Sequence, residues 1–504
     1  MQIVHRLFSR IFSSCWLSAP LITALGGLAG ACFAETGIWP VQVVCVALLY
    51  AQIRLGKTGP AAWRRTTAHA MLWAVGMFVI GMWWLPTEVT REWPQNPSAP
   101  LFIFLVIMGL LQGLAGTTYV AIGTGAKRIG LSAWWSQPLA FALAWVATEG
   151  LRANILNLPM LSLGFGQIDA PFAGYAPILG VHGVSLMCVL CAGLAVEASL
   201  DGLGRPVTLA SRRAHRAWLM PSALLAILLL SGSFLLRVRW TRPAAASVRV
   251  VAMQDGLNRL SKYTDIGLNT SLQRTLVWAA QNPGSLIIGS ETQILASSRA
   301  SAQVALARDG VTALIGVRLP DRHQAGRWNN SVVALGEDAH GYRYDKWHLI
   351  PFGEYVPPGA LAMWIAKISG FASSAKQVPG SADQAPFQLH GTEVVPTICF
   401  ENFFPGHVAS MRAPKRPSII VNLADMALFN GTWAMPQDVA VNRMLALEFQ
   451  TPLIRGSDSG TTMFIDSMGR VVARAPRGKP AAIAADITPS EGTTPYAWLL
   501  RNIV

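Results

Sequence analysis

Seven long apolar segments fill most of the first 240 residues of this 504-residue chain, and they constrain its fold more than any other feature. They lie at residues 16–34, 38–53, 68–86, 100–123, 135–151, 175–198 and 217–236. Most approach the roughly 17 to 25 residues that a helix needs to cross the hydrocarbon core of a bilayer, and segment 135–151 is the weakest. One such segment is compatible with a buried helix of a soluble core. Seven in succession predict a multi-pass α-helical membrane domain over residues 1–240.

The lysines and arginines between these segments predict their orientation. Most fall before the first segment and in every second connection: Arg6, Arg10, Arg54, Lys57, Arg64, Arg65, Lys127, Arg128, Arg205, Arg212, Arg213 and Arg216. The other connections carry only Arg91 and Arg152. Basic connections favour the cytoplasm, so we expect a cytoplasmic amino terminus, and seven crossings would deliver the chain after Arg237 to the bacterial periplasm. The opening stretch lacks a clear small-residue cleavage site, so we expect it to remain as the first anchor.

Charge and cysteine content argue against several classes of protein. A net charge of +14 is compatible with nucleic-acid binding, but many basic residues lie between apolar segments rather than on a soluble face, so we expect no nucleic acid. Only Cys399 of the six cysteines lies beyond residue 245, which argues against an internal disulfide there; the Cys188 and Cys191 pair lies in an apolar segment and indicates packing. The nine histidines show no paired spacing, and no glycine-rich phosphate loop of the expected form is present, so we predict neither a metal nor a cofactor.

Residues 245–504 have a different pattern. Short runs rich in valine and isoleucine, such as SVRVVAMQ, SLIIGSE, VTALIGV and SIIVNLAD, alternate with helical stretches and with turns containing glycine and proline. This alternation predicts sheets covered by helices, an α/β sandwich of about 255 residues. The apolar segment 357–374 belongs neither to this pattern nor to a full span. It is either a core helix or an amphipathic flap that enters the membrane interface.

Three stretches of this second domain each place one reactive group at the edge of an apolar run. They are Glu291 in IIGSETQIL, Lys346 in YRYDKWHLIPFGEYVPP and Cys399 in PTICFENFF. Each alone has a simpler interpretation: a surface carboxylate, half of an exposed ion pair, or a small buried core residue. Together they supply a thiol that attacks, a carboxylate that takes its proton and an ammonium that stabilises an oxyanion, with the backbone N–H of Phe400 as a second donor.

The order of these residues and the motifs HLIPFGEYVP and ICFENFFP resemble the nitrilase, or carbon–nitrogen hydrolase, superfamily. More narrowly, the chain resembles the membrane-anchored branch of that superfamily, the apolipoprotein N-acyltransferase family, over nearly its whole length. The stretches WVATEGLRANI, APILGVHGVSL and ITPSEGTTPYA also fit. This resemblance implies a bacterial inner-membrane enzyme whose helical domain precedes a nitrilase-like α-β-β-α sandwich.

The resemblance also implies roles for individual residues. The Cys399 thiolate would take an acyl chain from a phospholipid as a thioester and pass it to the amino group of a lipoprotein, with Glu291 as base and Lys346 as oxyanion partner. Glu354 and Glu401 would be supporting carboxylates that orient Lys346 and the loop, although a solvated loop charge or a strand-end cap remains an alternative for both. Trp364 and Phe371, in segment 357–374, and Tyr263 would contact the substrate.

Several stretches depart from the pattern of the family. The Gly-Phe-Pro-Trp turn reads NLPM at 157–160, Tyr263 stands for a tryptophan, Phe400 for a tyrosine, and Gln437-Asp438 for Gln-His; the Asn-Asp-Ala-Trp-Phe-Gly loop reads ADMALFNGTW. These changes affect substrate contacts more than the three reactive groups. Two alternatives therefore stay open: a nitrilase-like membrane paralogue that uses another acceptor or water, such as a conjugal-transfer protein, and a catalytically inactive membrane scaffold.

Overall fold

The computed structural model describes residues 15–55, 62–92, 99–128, 135–203, 218–257, 259–359, 363, 366–367 and 376–503. The chain forms two compact units: residues 1–90 with 97–238, here called the helical unit, and residues 91–96 with 239–504, here called the α/β unit. Several basic residues that predict orientation lie outside the described residues: Arg6, Arg10, Lys57, Arg205, Arg212, Arg213 and Arg216.

Each of the seven predicted apolar segments overlaps at least one α-helix, so their helical character is confirmed. The helices are α1 (Cys15–Ala31), α2 (Trp39–Leu55), α3 (Ala62–Gly81), α4 (Trp84–Glu92), α5 (Ala99–Gly113), α6 (Ala115–Arg128), α7 (Ser136–Asn154), α8 (Ala176–Leu203) and α9 (Leu219–Leu235). Within the described residues, three stretches are long and apolar enough to cross a bilayer: Thr36–Leu55, Leu101–Gly125 and Pro171–Leu200. Ala19–Ala34 and Leu219–Leu235 are shorter apolar helices. Seven crossings therefore stay a prediction.

Two buried charged residues of α7 fix the turn that follows this helix. Glu149 is fully buried and accepts hydrogen bonds from the backbone N–H of Leu163 at 2.8 Å and from the Trp145 indole at 3.0 Å. Arg152 is 1% exposed and donates to the carbonyl oxygens of Leu158 and Met160. Buried charges need partners of this kind, and here the backbone of the turn supplies them.

The α/β unit is built from fourteen described strands and six described α-helices. The strands are β1 (Thr241–Pro243), β2 (Val248–Gln254), β3 (Leu286–Ile288), β4 (Thr312–Pro320), β5 (Trp328–Gly336), β6 (Arg343–Asp345), β7 (Phe387–Leu389), β8 (Thr392–Ile398), β9 (Ser418–Ala424), β10 (Leu453–Ser457), β11 (Met463–Ile465), β12 (Val471–Arg474), β13 (Ala481–Ile487) and β14 (Ser490–Gly492). The helices are α10 (Arg259–Lys262), α11 (Asp265–Ala280), α12 (Arg299–Arg308), α13 (Pro405–Met411), α14 (Ala434–Phe449) and α15 (Pro495–Ile503).

The strands form two sheets. One sheet has six strands in the order β13-β2-β3-β4-β5-β6. The other has eight strands, in which β14, β9, β10, β11 and β12 follow β1 in that order and β8 pairs with both β7 and β9. Alternate residues of a strand face opposite sides, and β2 shows the result: Val250 packs with side chains of the eight-stranded sheet, whereas Val251 packs under Leu272 of α11. Helices α13 and α14 pack on the second sheet through Val408 and Leu445. The predicted α-β-β-α sandwich is confirmed.

The connectivity brings several strand ends to one edge of the sandwich. Strands β2, β3 and β4 run parallel, as do β8, β9 and β10. Strand β6 is antiparallel to β5, which is antiparallel to β4, so β6 ends at the same edge as β4. The carboxyl ends of parallel strands are where α/β folds place ligand sites. Glu291, Lys346 and Cys399 follow the carboxyl ends of β3, β6 and β8.

Candidate active site

Cys399 follows β8 directly and begins a short 3-10 turn, Cys399–Phe403. Its φ angle is 51°, a left-handed conformation that costs a non-glycine residue about 1–3 kcal/mol unless its surroundings hold it. The side chain is partly exposed, whereas the other cysteines with described side chains are buried. The sharp turn at the end of a buried strand therefore places the Cys399 thiol at the edge of the sandwich, where it is more exposed than a core cysteine.

Glu291 is held by donors on both of its carboxylate oxygens. The side-chain amide of Asn330 donates to Oε1 at 2.5 Å, and the backbone N–H of Asp425 donates to Oε2 at 2.9 Å. Gly316 on β4 makes room for this residue, because a Cβ there would lie 2.7 Å from the Glu291 Cα and 2.4 Å from the Ser290 carbonyl oxygen. These two hydrogen bonds fix the orientation of the Glu291 carboxylate, and with it the direction from which the carboxylate can accept a proton.

Lys346 is fully buried between two carboxylates. Its Nζ lies 2.6 Å from Oε1 of Glu354 and 3.9 Å from Oε1 of Glu291. Glu354 also accepts a hydrogen bond from the backbone N–H of Ile350 at 2.9 Å, so it closes the loop that follows Lys346. A buried ammonium is stable only with such partners, and the arrangement aims a fixed positive charge into the site.

The electrostatic field of the site determines the charge state of the thiol and the amine. Burial raises the pKa of Cys399 well above its ordinary value, and the Glu291 carboxylate raises it further, while Lys346 opposes both. Burial by itself would lower the pKa of Lys346, but Glu354 and Glu291 hold that pKa above its ordinary value. At neutral pH the sulfur therefore carries its proton and Lys346 is an ammonium. The thiol must therefore lose its proton to a base before it can attack a substrate, and Lys346, which is already protonated, cannot be that base.

Glu401 ties the Lys346 loop to the Cys399 turn. Its Oε1 accepts from the backbone N–H groups of Trp347 at 2.7 Å and His348 at 3.1 Å, which directly follow Lys346. Its Oε2 accepts from the backbone N–H of Ile398 at 2.7 Å and from the Tyr344 hydroxyl at 2.8 Å. This carboxylate is fully buried, and burial raises its pKa against the opposing effect of the donors from Ile398, Tyr344 and Trp347 and of the Lys346 charge. One side chain thus links two of the three strand ends.

A second buried lysine lies behind Glu291. The Nζ of Lys262 donates to the Glu291 carbonyl oxygen at 2.9 Å and lies 3.2 Å from Asp458 and 3.3 Å from Asp425. The Tyr263 hydroxyl also donates to Asp425, whose backbone N–H supports Glu291. Tyr263 therefore reaches the site through a hydrogen bond to a loop carboxylate.

Sequence reasoning did not identify Asn330, Asp425, Asp458 or the role of Lys262. Asp425 and Asp458 directly follow the carboxyl ends of β9 and β10, and this position at a strand end is the sequence signal that indicates a site residue. The sequence predicts the backbone N–H of Phe400 as an oxyanion donor, and this role stays a prediction. The Phe400 ring is buried, and its centroid lies 5.3 Å from those of the Phe403 and Phe404 rings.

Trp364 and Phe371 lie outside the described residues, as does most of segment 357–374, so both substrate contacts and the choice between core helix and flap stay predictions. Among the described residues, no group of three or more histidine, cysteine, aspartate or glutamate side chains is placed to hold a metal ion. What the site offers instead is a thiol, a carboxylate and an ammonium at one edge of the sandwich.

The sandwich belongs to the carbon–nitrogen hydrolase class. The protein-family model described as carbon-nitrogen hydrolase matches residues 280–495. A second model, described as the apolipoprotein N-acyltransferase N-terminal domain, matches residues 25–194. The two matches together cover both units of the chain.

Three bacterial relatives, each named apolipoprotein N-acyltransferase, are similar over almost their full length. The protein of Ralstonia nicotianae is 30% identical over 95% of this chain and 89% of its own. That of Pseudomonas paraeruginosa is 30% identical over 95% of this chain and 93% of its own, and that of Bordetella bronchiseptica 29% identical over 96% and 93%. The chain belongs to the apolipoprotein N-acyltransferase family. It is accordingly a membrane N-acyltransferase of the bacterial inner membrane.

Proposed function

We propose that Cys399, Glu291 and Lys346 catalyse a two-step transfer of an acyl chain from a phospholipid to the amino terminus of a lipoprotein. The observation that carries this proposal is the arrangement at the strand ends. The ammonium of Lys346 lies 3.9 Å from the Glu291 carboxylate, and both charges act on the Cys399 thiol. A base, an oxyanion donor and a nucleophile are then within reach of one carbonyl group.

In the first step the Cys399 thiol gives its proton to Glu291 as the sulfur attacks an ester carbonyl of the phospholipid. The negative charge that develops on the carbonyl oxygen is stabilised by the Lys346 ammonium, which typically contributes a few kcal/mol in sites of this kind. The C–O bond then breaks, and the leaving alkoxide of the lysophospholipid takes the proton back from Glu291. The products are a Cys399 thioester and a lysophospholipid.

In the second step the free amino group of the acceptor attacks the thioester carbonyl. Glu291 takes one proton from the attacking nitrogen, Lys346 again faces the oxyanion, and the C–S bond breaks as the amide forms. The proton on Glu291 returns to the departing sulfur. The cycle ends with the thiol and the carboxylate in their starting forms, so the proposed steps balance without an oxidant.

The names of the relatives support a lipoprotein as acceptor, and the physics of the donor supports a phospholipid held in the bilayer. Moving an acyl chain into water costs about 0.8 kcal/mol for each CH₂ group, so the thiol has to meet the chain at the membrane. This reading is favoured over a paralogue with another acceptor or an inactive scaffold, because the similarity to the named relatives runs through both units.

We also propose that the helical unit crosses the membrane seven times, with its amino terminus in the cytoplasm and the α/β unit in the periplasm. The distribution of arginine and lysine between the apolar segments supports this orientation. Fusions of a periplasm-active enzyme reporter after residues 57, 128 and 240 test it, with activity expected only for the last. An active fusion after residue 57 or 128 would contradict the orientation.

Labelling tests the chemistry. Membranes that contain the protein are incubated with a phospholipid carrying a labelled acyl chain, and the protein is expected to gain a label that hydroxylamine removes. Cys399→Ala should abolish this label, whereas Cys191→Ala, the matched control at a buried cysteine, should leave it in place. An unlabelled wild-type protein, or a label that persists in Cys399→Ala, would refute the proposed mechanism.

Complementation tests the acceptor. A bacterial strain depleted of its own apolipoprotein N-acyltransferase is supplied with this chain, and growth with N-acylated lipoproteins is expected. A well-expressed protein that forms the thioester but restores neither growth nor N-acylation would favour another acceptor, and release of free fatty acid in its place would favour hydrolysis.

A further inference from the structure

A row of polar side chains crosses three parallel strands beneath the nucleophile. The register pairs Thr397 of β8 with Asn422 of β9, and Asn422 with Arg455 of β10. The Asn422 side-chain amide donates to the Thr397 hydroxyl at 2.8 Å and to the Cys399 carbonyl oxygen at 3.2 Å. The strained left-handed residue of the site is therefore held through its own carbonyl group.

Arg455 holds Asn422 in place. The guanidinium is fully buried and donates to the Asn422 side-chain oxygen, and its Nε donates to the Thr461 hydroxyl at 3.1 Å. Its third nitrogen lies 2.7 Å from Oδ2 of Asp438 on α14. A fully buried guanidinium needs a counter-charge, and in the described structure Asp438 supplies it.

Asp438 closes the network on the other side of the nucleophilic turn. Its Oδ1 accepts from the side-chain amide of Asn402, three residues after Cys399, at 3.2 Å, and from Asn442 at 3.3 Å. The turn is thus held at its first residue through Asn422 and near its last through Asp438. Arg455 joins both contacts, which makes one connected support of the turn.

The support also contributes to the charge around the sulfur. The ionisable groups whose charges act on Cys399 are Glu291, Lys346, Glu354 and Arg455. Burial and the carboxylates disfavour the thiolate, whereas Lys346 and Arg455 favour it. Because Asp438 pairs with Arg455, the positive charge that reaches the sulfur from this side is partly balanced.

We propose that Arg455 and Asp438 are positioning residues that form a charge-balanced support beneath Cys399. Arg455 fixes the turn through Asn422 and favours the thiolate, and Asp438 fixes the turn through Asn402 and limits the effect of the guanidinium. This inference rests on the proposed role of Cys399 as the nucleophile, and it adds a pair beneath the turn to the groups that control the reactivity of the thiol.

Opposite changes of charge test the pair. In the full-length protein, the rate of Cys399 alkylation by iodoacetamide is measured against pH by peptide-resolved mass spectrometry. Asp438→Asn leaves the positive charge of the guanidinium unbalanced, so the fraction of thiolate and the alkylation rate at neutral pH should rise at least about threefold. Arg455→Gln removes that positive charge, so the alkylation rate should fall by a similar factor. The double variant should return towards the wild-type pH profile.

Arg455→Lys separates charge from geometry. A lysine keeps the positive charge but cannot hold Asn422 and Asp438 together, so the pH profile of alkylation should stay close to wild type while formation of the acyl-enzyme falls about tenfold or more. A circular-dichroism melt of each variant identifies those that do not fold, and the Asp438→Asn and Arg455→Lys arms keep the test decisive if Arg455→Gln is unstable.

Two outcomes would overturn the inference. One is a shift of the pH profile in the same direction for Asp438→Asn and Arg455→Gln, and the other is an unchanged profile in both folded variants. Failure of the proposed function looks different, because the wild-type protein would then be alkylated at Cys399 and yet acquire no acyl label from phospholipid.

Discussion

Replacing Glu401 by glutamine tests whether one carboxylate aligns the ammonium with the nucleophile. The glutamate receives four donors: the two backbone N–H groups that follow Lys346, the Ile398 N–H before Cys399, and the Tyr344 hydroxyl on β6. Glutamine keeps one acceptor oxygen and replaces the other by an NH₂ group. The oxygen is expected to face Trp347 and His348, because the Tyr344 hydroxyl can rotate to donate to Nε2 of His407 at 2.6 Å and accept from the new NH₂ group.

The backbone N–H of Ile398 is then left facing a donor. A buried donor without an acceptor costs about 1–3 kcal/mol, and the loss of charge in the remaining hydrogen bonds adds about 1 kcal/mol or more. We therefore expect Glu401→Gln to lower the free energy of unfolding by about 2–4 kcal/mol. Ile398 precedes Cys399 directly, so the nucleophilic turn is displaced, and a displacement near 1 Å lowers the rate of acyl-enzyme formation about 100-fold.

The matched control is Glu393→Gln, near the start of β8, the strand that leads into the nucleophilic turn. Glu393 is also buried; it accepts from the backbone N–H of Ala413 at 2.8 Å and lies 3.8 Å from Arg416. Both variants are compared for unfolding in denaturant and for single-turnover labelling by a phospholipid, at a temperature where both are folded. Only Glu401→Gln should lose labelling. Wild-type labelling in a folded Glu401→Gln protein would refute the alignment role.

Three further changes have expected outcomes. Glu291→Gln removes a negative charge that raises the Cys399 pKa, so that pKa falls and alkylation at neutral pH becomes faster while acyl transfer is lost; slower alkylation would contradict this sign. Gly316→Ala forces a Cβ against the backbone of Glu291 and should cost about 1–3 kcal/mol and most of the activity, whereas Gly406→Ala, with nothing within 4 Å of its Cβ, should do neither in the same melting and labelling assays. Lys262→Met leaves the fully buried Asp458 and the partly exposed Asp425 without their cation and should lower the free energy of unfolding by about 3–5 kcal/mol, and a neutral result in a denaturant titration would show that these carboxylates find other partners.

The fold was predictable because its signals are local. Runs rich in valine and isoleucine, such as SVRVVAMQ, predict strands of a sheet covered by helices, and the structure places the neighbouring Val250 and Val251 on opposite faces of one sheet. The reactive residues were recognisable from their motifs, but their distances depend on strand order, which no local pattern encodes. Asp425 lies 134 residues from the Glu291 that it supports, and a contact of that separation leaves no periodic trace in the sequence.

Two departures from the family pattern acquire a physical reason in the structure. Tyr263 uses its hydroxyl to bind Asp425, so its polar end has a partner that the sequence did not indicate. Asp438 pairs with the buried guanidinium of Arg455, which makes a negative charge at this position favourable. Neither reason can be read from the sequence, since each depends on a residue brought close only by packing of a helix or loop on a sheet.

The buried charges of α7 have a consequence for biogenesis. A charged side chain at the centre of a membrane helix opposes insertion by about 2.5–3.5 kcal/mol on translocon scales, and the cost is smaller near a helix end, where Glu149 and Arg152 lie in α7. Glu149 and Arg152 meet their partners on other segments: His182 of α8, Gln112 of α5 and the Phe78 ring of α3. If α7 crosses the membrane, its insertion is therefore favoured once those neighbours are in place, and the full set of partners exists only after α8 has been synthesised.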